Sequence, residues 1–556
     1  MTKHGLVPFA LLALSQGIFA QQAPTAGSQL QQIPPSPVLQ NAPPAIRLEQ
    51  GTPPPSTPDG KEVKVLIKSL QVTGAQVYSE AELIGVTGFK PGSELSLTDL
   101  RAMALRITEH YQKAGYFVAQ AYLPAQDIKD NAVTIAVLEG RYGNITLRNQ
   151  SNLSDAQANS LLRGLNSGDI ITTEPLESRL LLLSDLPGVT ISSTLVPGAS
   201  PGTSDLIVDV APGKRVSGSI DFDNAGGRYT GEYRLGATVN LNNPLGQGDV
   251  ASLRVLTTGS GLNYARASYQ MQFGKARGGV AYSKLYYKLG EEFTPIGANG
   301  TAEVASIFGN YSLIRSRNNN VSAGLAYENK KFQDKVDLTA SVTDKKAQVL
   351  TASLYGDLRD GLGGGGITSY SFNWSAGTID IQTPSALAGD AATARSNGSF
   401  NKIGYRASRL QSLGGPFSLY AGINGQFASK NLDVSEKMEL GGMNAVRAYP
   451  QGEAYADEGY VATLEARMLL PKVWDRIPGQ MQLIGFVDGG SVTTNKNPWF
   501  TGPNTRSLSG AGVGITWAEN NNFFVRAYYA RRLGSEKAIS APDRTGRFWI
   551  QAVKYF

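Results

Sequence analysis

Cysteine is absent from this chain of 556 residues, and histidine occurs only twice. The absence of cysteine excludes disulfide bridges, cysteine-ligated zinc, iron–sulfur clusters and thiol catalysis. Charge is also scarce, because Asp, Glu, Lys and Arg together make up 17% of the residues, against roughly 25% in soluble domains. The net charge of +6 is small for this length and argues against a protein whose main partner is nucleic acid.

The first twenty residues carry the features of an export signal. Lys3 precedes an apolar run from Leu6 to Leu14, and a small residue, Ala20, stands at the expected cleavage point. This arrangement is typical of a secretory signal peptide, which we place at residues 1–20. A membrane anchor would need about 20 apolar residues in a row, and Pro8 interrupts this run.

Residues 21–60 form a leader rich in proline, glutamine, serine and threonine. Proline fixes φ and removes a hydrogen-bond donor, so we predict an extended linker. A short helix around Ser28–Ile33 has only weak support from the sequence. The prolines lead us to expect little helix anywhere in the leader.

Two small β-α-α-β-β units follow, at residues 61–140 and 141–212. Ser79 begins a short capped helix in the first unit, and Thr98 begins a longer amphipathic one. Thr173 begins the corresponding long helix of the second unit. Units of this size and element order are compact binding modules rather than enzyme domains.

Residues 213–556 alternate between apolar and polar side chains, which predicts β-strands with two different faces. Alternation alone also fits a soluble sheet, but the strands are too many for one sandwich. Dividing (556 − 212) by 16 leaves about 21 residues per strand and connection, against ~9–11 needed to span a bilayer. Backbone donors in hydrocarbon must be paired internally, so we predict a closed transmembrane β-barrel of 16 antiparallel strands. The candidate strands are 214–222, 230–241, 248–258, 262–273, 277–289, 301–314, 319–329, 346–356, 367–377, 400–410, 416–428, 459–469, 480–488, 508–517, 522–531 and 546–556.

Two motifs stand out in this region. If the first strand rises from the periplasm, the connection between strands 11 and 12, residues 429–458, faces outward. Phe486 and Asp488 share a strand face with Gln482 and are expected to point into the lumen. Glu465 and Arg467 are expected to form a structural charge pair nearby. The motif residues are Val446, Arg447, Ala448 and Tyr449 in the connection, and Phe486, Asp488 and Gly490 in the later strand.

In these motifs and in the order of its parts, the chain resembles the two-partner secretion transporters (the TpsB family, of the haemolysin/haemagglutinin secretion-activation type). This family belongs to the superfamily that combines POTRA modules with a barrel. The resemblance covers nearly the whole mature chain, from the Pro-rich leader and two POTRA domains to the barrel. A sixth extracellular loop carries a Val-Arg-Gly-Tyr-type motif, in which Ala448 replaces the glycine.

The resemblance implies type V secretion: an outer-membrane pore that moves a specific large exoprotein from the periplasm to the cell surface. The POTRA domains would receive the unfolded cargo along a strand edge. Arg447 of the sixth loop would pair with Asp488 of the barrel wall. The implied partners are a TpsA-like exoprotein (an adhesin, haemolysin or toxin), outer-membrane lipid and, during biogenesis, the barrel assembly machinery. The family's plug helix is not expected here, because of the prolines in the leader.

Other functions fit less well. An insertase that assembles other barrels is the main alternative within the superfamily, but such proteins usually carry three or more POTRA modules. A barrel lipase would need a Ser-His-Asp triad, and no histidine follows His110. His110 itself is expected to be a surface helix residue without a catalytic role. A diffusion porin has no use for periplasmic modules, and the glycines at 363–366 lack the Lys-Ser/Thr of a phosphate loop. We expect no enzyme activity, cofactor or metal.

Overall fold

The computed structural model describes residues 24–37, 45–48, 63–472 and 477–556. The predicted signal peptide, residues 1–20, lies outside the described residues. Within these ranges, no helix has both the length and the apolar character needed to cross a membrane.

The leader contains two described elements, α1 (Ala26–Gln31) and β1 (Ala45–Leu48). The expectation of little helix in the leader is therefore wrong at its start. Pro24 and Pro34 flank α1 and do not fall inside it, so neither ring meets a preceding helical turn. The Ser28 hydroxyl accepts a hydrogen bond from the backbone N–H of Thr25 (2.9 Å), which caps the first turn.

The first module packs one amphipathic helix on a three-stranded sheet, in the order β3-β6-β5. Ser96 caps the long helix by accepting from the backbone N–H of Asp99 (3.1 Å), two residues before the predicted start. His110 lies half-buried on that helix, with its ring 4.7 Å from the ring of Tyr78. The elements are β2 (Val65–Ile67), β3 (Ser69–Thr73), α2 (Glu80–Thr87), β4 (Ser93–Leu95), α3 (Leu97–Lys113), β5 (Gln120–Tyr122) and β6 (Ala132–Leu138).

The second module repeats the β-α-α-β-β order without counterparts of β2 and β4, and its sheet gains one strand from the leader. The sheet order is β1-β8-β9-β7, with β1 parallel to the edge strand β8. Leucines make up most of its core, and six of them come from the two helices. The elements are β7 (Arg141–Asn149), α4 (Asp155–Leu162), α5 (Thr173–Ser184), β8 (Val189–Pro197) and β9 (Thr203–Pro212).

The rest of the described chain forms a closed barrel of sixteen antiparallel strands, which confirms the predicted fold class. The last strand pairs with the first, with Tyr555 opposite Ser219. In chain order the region contains β10 (Val216–Asp223), β11 (Arg234–Asn242), β12 (Val250–Thr257), β13 (Leu262–Phe273), β14 (Ala276–Lys288), β15 (Ala298–Arg315), β16 (Asn319–Val336), β17 (Ser341–Asp360), β18 (Gly366–Ile381), α6 (Pro384–Ala392), β19 (Gly398–Ser412), β20 (Phe417–Ala428), β21 (Met438–Glu439), β22 (Tyr455–Ala456), β23 (Glu458–Leu469), β24 (Gln480–Thr493), β25 (Thr505–Glu519), β26 (Phe523–Leu533) and β27 (Gly546–Tyr555). The short strands β21 and β22 pair with each other and not with the wall.

Strands β15 to β18 extend beyond their predicted ends. β17 has 20 residues, whereas the alternating pattern covers only 346–356. Its outer end carries Asp344 and Lys346 on the face that Leu350 and Leu354 share further along the strand, so the apolar pattern fades while backbone pairing continues. The two faces of each strand still differ sharply in environment: Val487 is half exposed on the outer surface, whereas its neighbours Phe486 and Asp488 are buried in the lumen.

Candidate functional site in the barrel lumen

The sixth outward connection, residues 429–457 between β20 and β23, folds back into the lumen and is called loop 6 below. Leu440, Val446 and Tyr449 of this loop are each at most 1% exposed. They pack against apolar side chains of the barrel wall, among them Phe486 and Trp549. Burial of these side chains favours the seated position of the loop by the hydrophobic effect.

Arg447, at the tip of loop 6, contacts Asp488 of β24. The guanidinium donates from Nη2 to Oδ1 (2.7 Å) and from Nε to Oδ2 (2.8 Å). The backbone N–H of Arg447 and the Thr463 hydroxyl also donate to this carboxylate, at 3.1 and 2.9 Å. Arg447 is 4% exposed and Asp488 is 0% exposed. A bidentate pair with further donors compensates for removing both charges from water.

Glu465 of β23 joins the same cluster. It accepts from Arg447 Nη1 (2.8 Å) and from Arg467 Nη2 (2.6 Å). The Glu465 and Arg467 side chains therefore do pair, as expected for a structural pair, but Glu465 also bridges to the loop. The cluster of Arg447, Arg467, Glu465 and Asp488 balances two cations with two carboxylates.

Aromatic side chains hold the rest of the Arg447 side chain. Its guanidinium carbon lies 3.4 Å from the ring centroid of Phe486 and 4.9 Å from that of Tyr528. Trp549 Nε1 donates to the backbone carbonyl of Arg447 (2.7 Å). Stacking on ring faces adds cation–π attraction and excludes water from the ion pair.

Glycines in the barrel wall leave space for loop 6 to contact the strands closely. A Cβ on Gly490 would lie 2.6 Å from Leu440 Cδ1 and 2.6 Å from the carbonyl oxygen of Tyr460. A Cβ on Gly510 would lie 2.5 Å from the Cβ of Ala448. Ala448 does not have a positive φ, so alanine fits the position that is glycine in the family motif.

Ion pairs to the outer wall anchor both ends of loop 6. Burial by itself would raise the pKa of Glu436, but Lys330 and Lys402 outweigh it and hold that pKa below its ordinary value. The pairs between the loop and the wall are Lys330–Glu436 (2.9 Å), Lys402–Glu436 (2.8 Å), Lys345–Asp433 (2.8 Å) and Arg506–Glu453, and the pair Lys437–Asp457 (3.1 Å) lies within the loop.

Glu439, on β21 of loop 6, has no such cation beside it. Burial raises its pKa to about 7, although the backbone N–H of Gly452 and the Gln451 side chain donate to it. Among the described residues, no ion pair involves this carboxyl group. Glu439 therefore changes its charge near neutral pH while the loop is seated.

The leader helix α1 lies in the lumen beside loop 6. Gln31 Nε2 donates to the carbonyl of Lys437 (2.8 Å), and Gln32 Nε2 donates to the Tyr455 hydroxyl (2.7 Å). On the other side, the backbone N–H of Ala26 donates to Asp334 of β16 (2.7 Å). The expectation that this chain has no helix in the position of a plug is therefore wrong: a six-residue helix occupies the lumen, bonded to both loop and wall.

The structure brings together every residue of the two motifs, and it adds several that the sequence analysis missed. Thr463, Tyr528 and Trp549 come from three different strands, and no local pattern marks them. Gly510 and Gly512 were detectable, because glycines at every second position of a strand leave one face without side chains. The contacts of this cluster join loop 6 to the barrel wall.

Comparisons with known proteins agree with this architecture. Residues 202–517, more than half of the chain, match the family of haemolysin secretion/activation proteins ShlB/FhaC/HecB, and residues 65–140 match the ShlB-type POTRA domain. The chain is similar to the heme/hemopexin transporter protein HuxB of Haemophilus influenzae, with 29% identity over 98% of this chain and 97% of that protein. It is also similar to the outer membrane transporter CdiB of Dickeya dadantii, with 22% identity over 76% and 75%. The solved structure of CdiB from Escherichia coli has the same fold, with a TM-score of 0.67 and 18% identity over 91% and 93% of the two chains.

Proposed function

This chain belongs to the haemolysin secretion/activation family of two-partner secretion transporters, and on that premise we propose that it exports one specific large exoprotein. It is an outer-membrane β-barrel with periplasmic POTRA domains. Transporters of this type act with a cognate secreted protein. The proposed cargo is a TpsA-like adhesin, haemolysin or toxin, which passes from the periplasm to the cell surface.

The observation that carries this proposal is the way the lumen is filled. Loop 6 and α1 are segments of the chain that sit inside the wall without strand pairing to it. Side-chain hydrogen bonds and ion pairs hold them, and such contacts can break while all sixteen wall strands stay paired. Release of both segments would leave a pore through an intact barrel.

The pairing of Arg447 with Asp488 is proposed as the lock of the resting state. Both groups are buried, so neither can be left alone without a large cost. The lock must therefore open as a unit, by withdrawal of the loop tip into water. A passing polypeptide that displaces the tip supplies the competing contacts.

The POTRA domains are proposed to receive the unfolded cargo by strand addition. The edge strand β8 of the second module already accepts an extended segment, β1, in parallel register from Ala45–Ser192 to Leu48–Leu195. An edge that pairs with one extended segment offers the same backbone groups to another.

A comparison of cells with and without this chain tests the export function. The proteins of the culture medium and of the outer membrane are measured in both. Loss of one large secreted protein, with other barrels unchanged, is the expected result and identifies the cargo. The name of the H. influenzae relative makes a haem- or hemopexin-binding exoprotein one class to look for. A general fall in outer-membrane barrels would instead indicate an insertase and overturn the proposal.

A further inference from the structure

A polar chamber of about 680 Å³ lies at the inner end of the barrel, against the second POTRA module. It is bounded by the periplasmic turns after β13, β15 and β17 and by the C-terminal end of α5. The chamber is far from the lock, and neither loop 6 nor α1 lines it. Its charged lining residues are Lys275, Arg277, Arg315, Arg359, Asp185 and Asp357.

One carboxylate already reaches into this chamber from another domain. Asp185 follows α5 of the second module, and its side chain accepts from Arg315 Nε (2.7 Å) and Nη2 (2.8 Å). Arg277 Nη2 donates to the backbone carbonyl of Asp185 (3.2 Å). A few residues away, Glu177 of α5 pairs with Arg317 (2.7 Å). The rim of the barrel thus holds the carboxylates of a neighbouring domain in a bidentate way.

The remaining cations of the chamber are not neutralised. Among the residues that the structure describes, no carboxylate lies within ion-pair distance of Lys275, Arg277 or Arg359. Asp357 is the other acid of the lining, and it accepts from Asn320 (3.0 Å). The chamber therefore has four cations against two carboxylates, and space beside them. Guanidinium groups in this state bind further carboxylates readily.

We propose that the chamber binds acidic segments of the polypeptide that enters the barrel from the periplasm, and that Asp185 fills one of its carboxylate positions when no cargo is present. This inference rests on the proposed export function and names a chemical preference of the cargo path. An acidic segment exchanges its carboxylates for that of Asp185 on Arg315, while Arg277 and Arg359 hold neighbouring ones. The exchange also weakens the attachment of α5 to the rim, because one of the two ion pairs between them is then lost.

The test measures peptide binding to the purified full-length protein in detergent. A fluorescent glutamate-rich peptide is compared with serine-rich and lysine-rich peptides of the same length, and with inorganic phosphate as a competitor. The glutamate-rich peptide should bind best, and added salt should weaken it. Displacement by phosphate at concentrations far below those of ordinary salt would show a small-anion site instead, and would overturn the assignment to polypeptide.

Variants locate the binding. The double variant Arg277→Gln/Arg359→Gln should weaken binding of the glutamate-rich peptide by roughly fivefold or more. Asp185→Asn should strengthen it, because the internal competitor loses its charge. Arg409→Gln is the matched control, since Arg409 lies at the same rim but pairs with Asp360 and does not line the chamber. A temperature-dependent shift in gel migration verifies that each barrel is folded.

The inference is overturned if the double variant binds as Arg409→Gln does, or if Asp185→Asn binds no more tightly than the unaltered chain. Binding is measured without secretion, so the two proposals can fail separately. If the peptides bind with the expected variant effects but loss of the protein leaves the secreted proteins unchanged, the export function is disproved and the peptide-binding site is supported. If loss of the protein removes one exoprotein but no peptide binds, the export function is supported and the peptide-binding site is disproved.

Discussion

The outer and inner halves of the same lumen differ in how many of their positive charges are paired with carboxylates. In the outer half, Lys330, Lys345 and Arg447 each meet a buried carboxylate within 3 Å. In the inner half, Arg277 and Arg359 meet none among the described residues. The difference follows hydration: loop 6 and α1 exclude water from the outer half, where an unpaired charge is costly. In the inner half the side chain of Arg359 is exposed, and an unpaired charge in contact with solvent costs little.

This difference indicates that the outer half of the lumen is held closed at rest, whereas the inner half is open to a passing polypeptide. Paired and buried charges fix one arrangement of loop and wall, since any shift leaves a charge uncompensated. Unpaired, hydrated charges fix nothing and stay available to a ligand. Variants that disturb the tight packing of the outer half test this difference between the two halves.

The largest effect is expected from removal of either partner of the buried pair. Arg447→Ala leaves the buried Asp488 carboxylate without a cation, which costs about 3–5 kcal/mol, and Asp488→Ala leaves Arg447 with only Glu465, which it shares with Arg467. Loop 6 should become sensitive to protease, and secretion should fall, while the amount of folded barrel in the membrane stays the same. Arg406→Ala is the control, because Arg406 is exposed and has no carboxylate partner among the described residues. Normal secretion by both variants would exclude the pair as a lock.

A smaller effect is expected from a single methyl group at Gly490. Gly490→Ala places a Cβ against the Tyr460 carbonyl oxygen, which belongs to the backbone and cannot rotate away. We expect a loss of about 1–3 kcal/mol in the seating of loop 6, visible as faster proteolysis of the loop. Gly485→Ala on the same strand is the control, since nothing lies within 4 Å of its Cβ position. Equal proteolysis of the two variants would show that the loop does not need this close approach.

The wall of the barrel was predictable from the sequence, because each strand repeats the same two-residue pattern. All sixteen predicted strands occur, and errors are confined to ends such as those of β17, where charged residues replace the apolar face. The helix α1 overlaps the weakly supported helix around Ser28–Ile33, and it was not predicted with more weight for a different reason. Averaging over residues 21–60 hides the proline-free stretch between Pro24 and Pro34, and the contacts that stabilise this helix come from Asp334 and Lys437, far along the chain.

The site was predictable only where a motif marks it. Arg447 and Asp488 stand in short patterns that resemble those of a known family. Thr463 and Trp549 contribute hydrogen bonds to the same cluster, but each is one polar or aromatic residue in a strand of many. Their role depends on barrel closure and strand register, which bring residues 447, 463, 488 and 549 together. The alternation of apolar and polar residues predicts on which face of a strand a side chain lies, but it does not predict which residues lie opposite that side chain across the lumen.

A variant of the leader helix α1 tests whether α1 is needed, in addition to loop 6, to close the outer half of the lumen. A Cβ on Gly27 would lie 2.8 Å from the Cβ of Ser435 in loop 6, so Gly27→Leu should unseat α1 without touching the lock. We expect a larger share of open channels in planar bilayers, with loop 6 still protected from protease. Gly389→Leu in α6 is the matched control, because this helical glycine has open space around it. Unchanged channel opening in Gly27→Leu would show that α1 does not obstruct the pore.

The smallest effect is expected from pH, through Glu439, a loop carboxyl whose pKa is raised by burial. In the seated loop the pKa of Glu439 is raised from 4.5 to about 7, whereas in a released loop it returns to the ordinary value. Below the ordinary value both states are neutral; as pH rises from there to about 7, only the released loop ionises, so the seated state loses stability. Protease sensitivity of loop 6 should therefore increase between about pH 5 and pH 7. Glu439→Gln should flatten this slope, since it cannot ionise in either state, and an unchanged slope in that variant would assign the pH effect to another group.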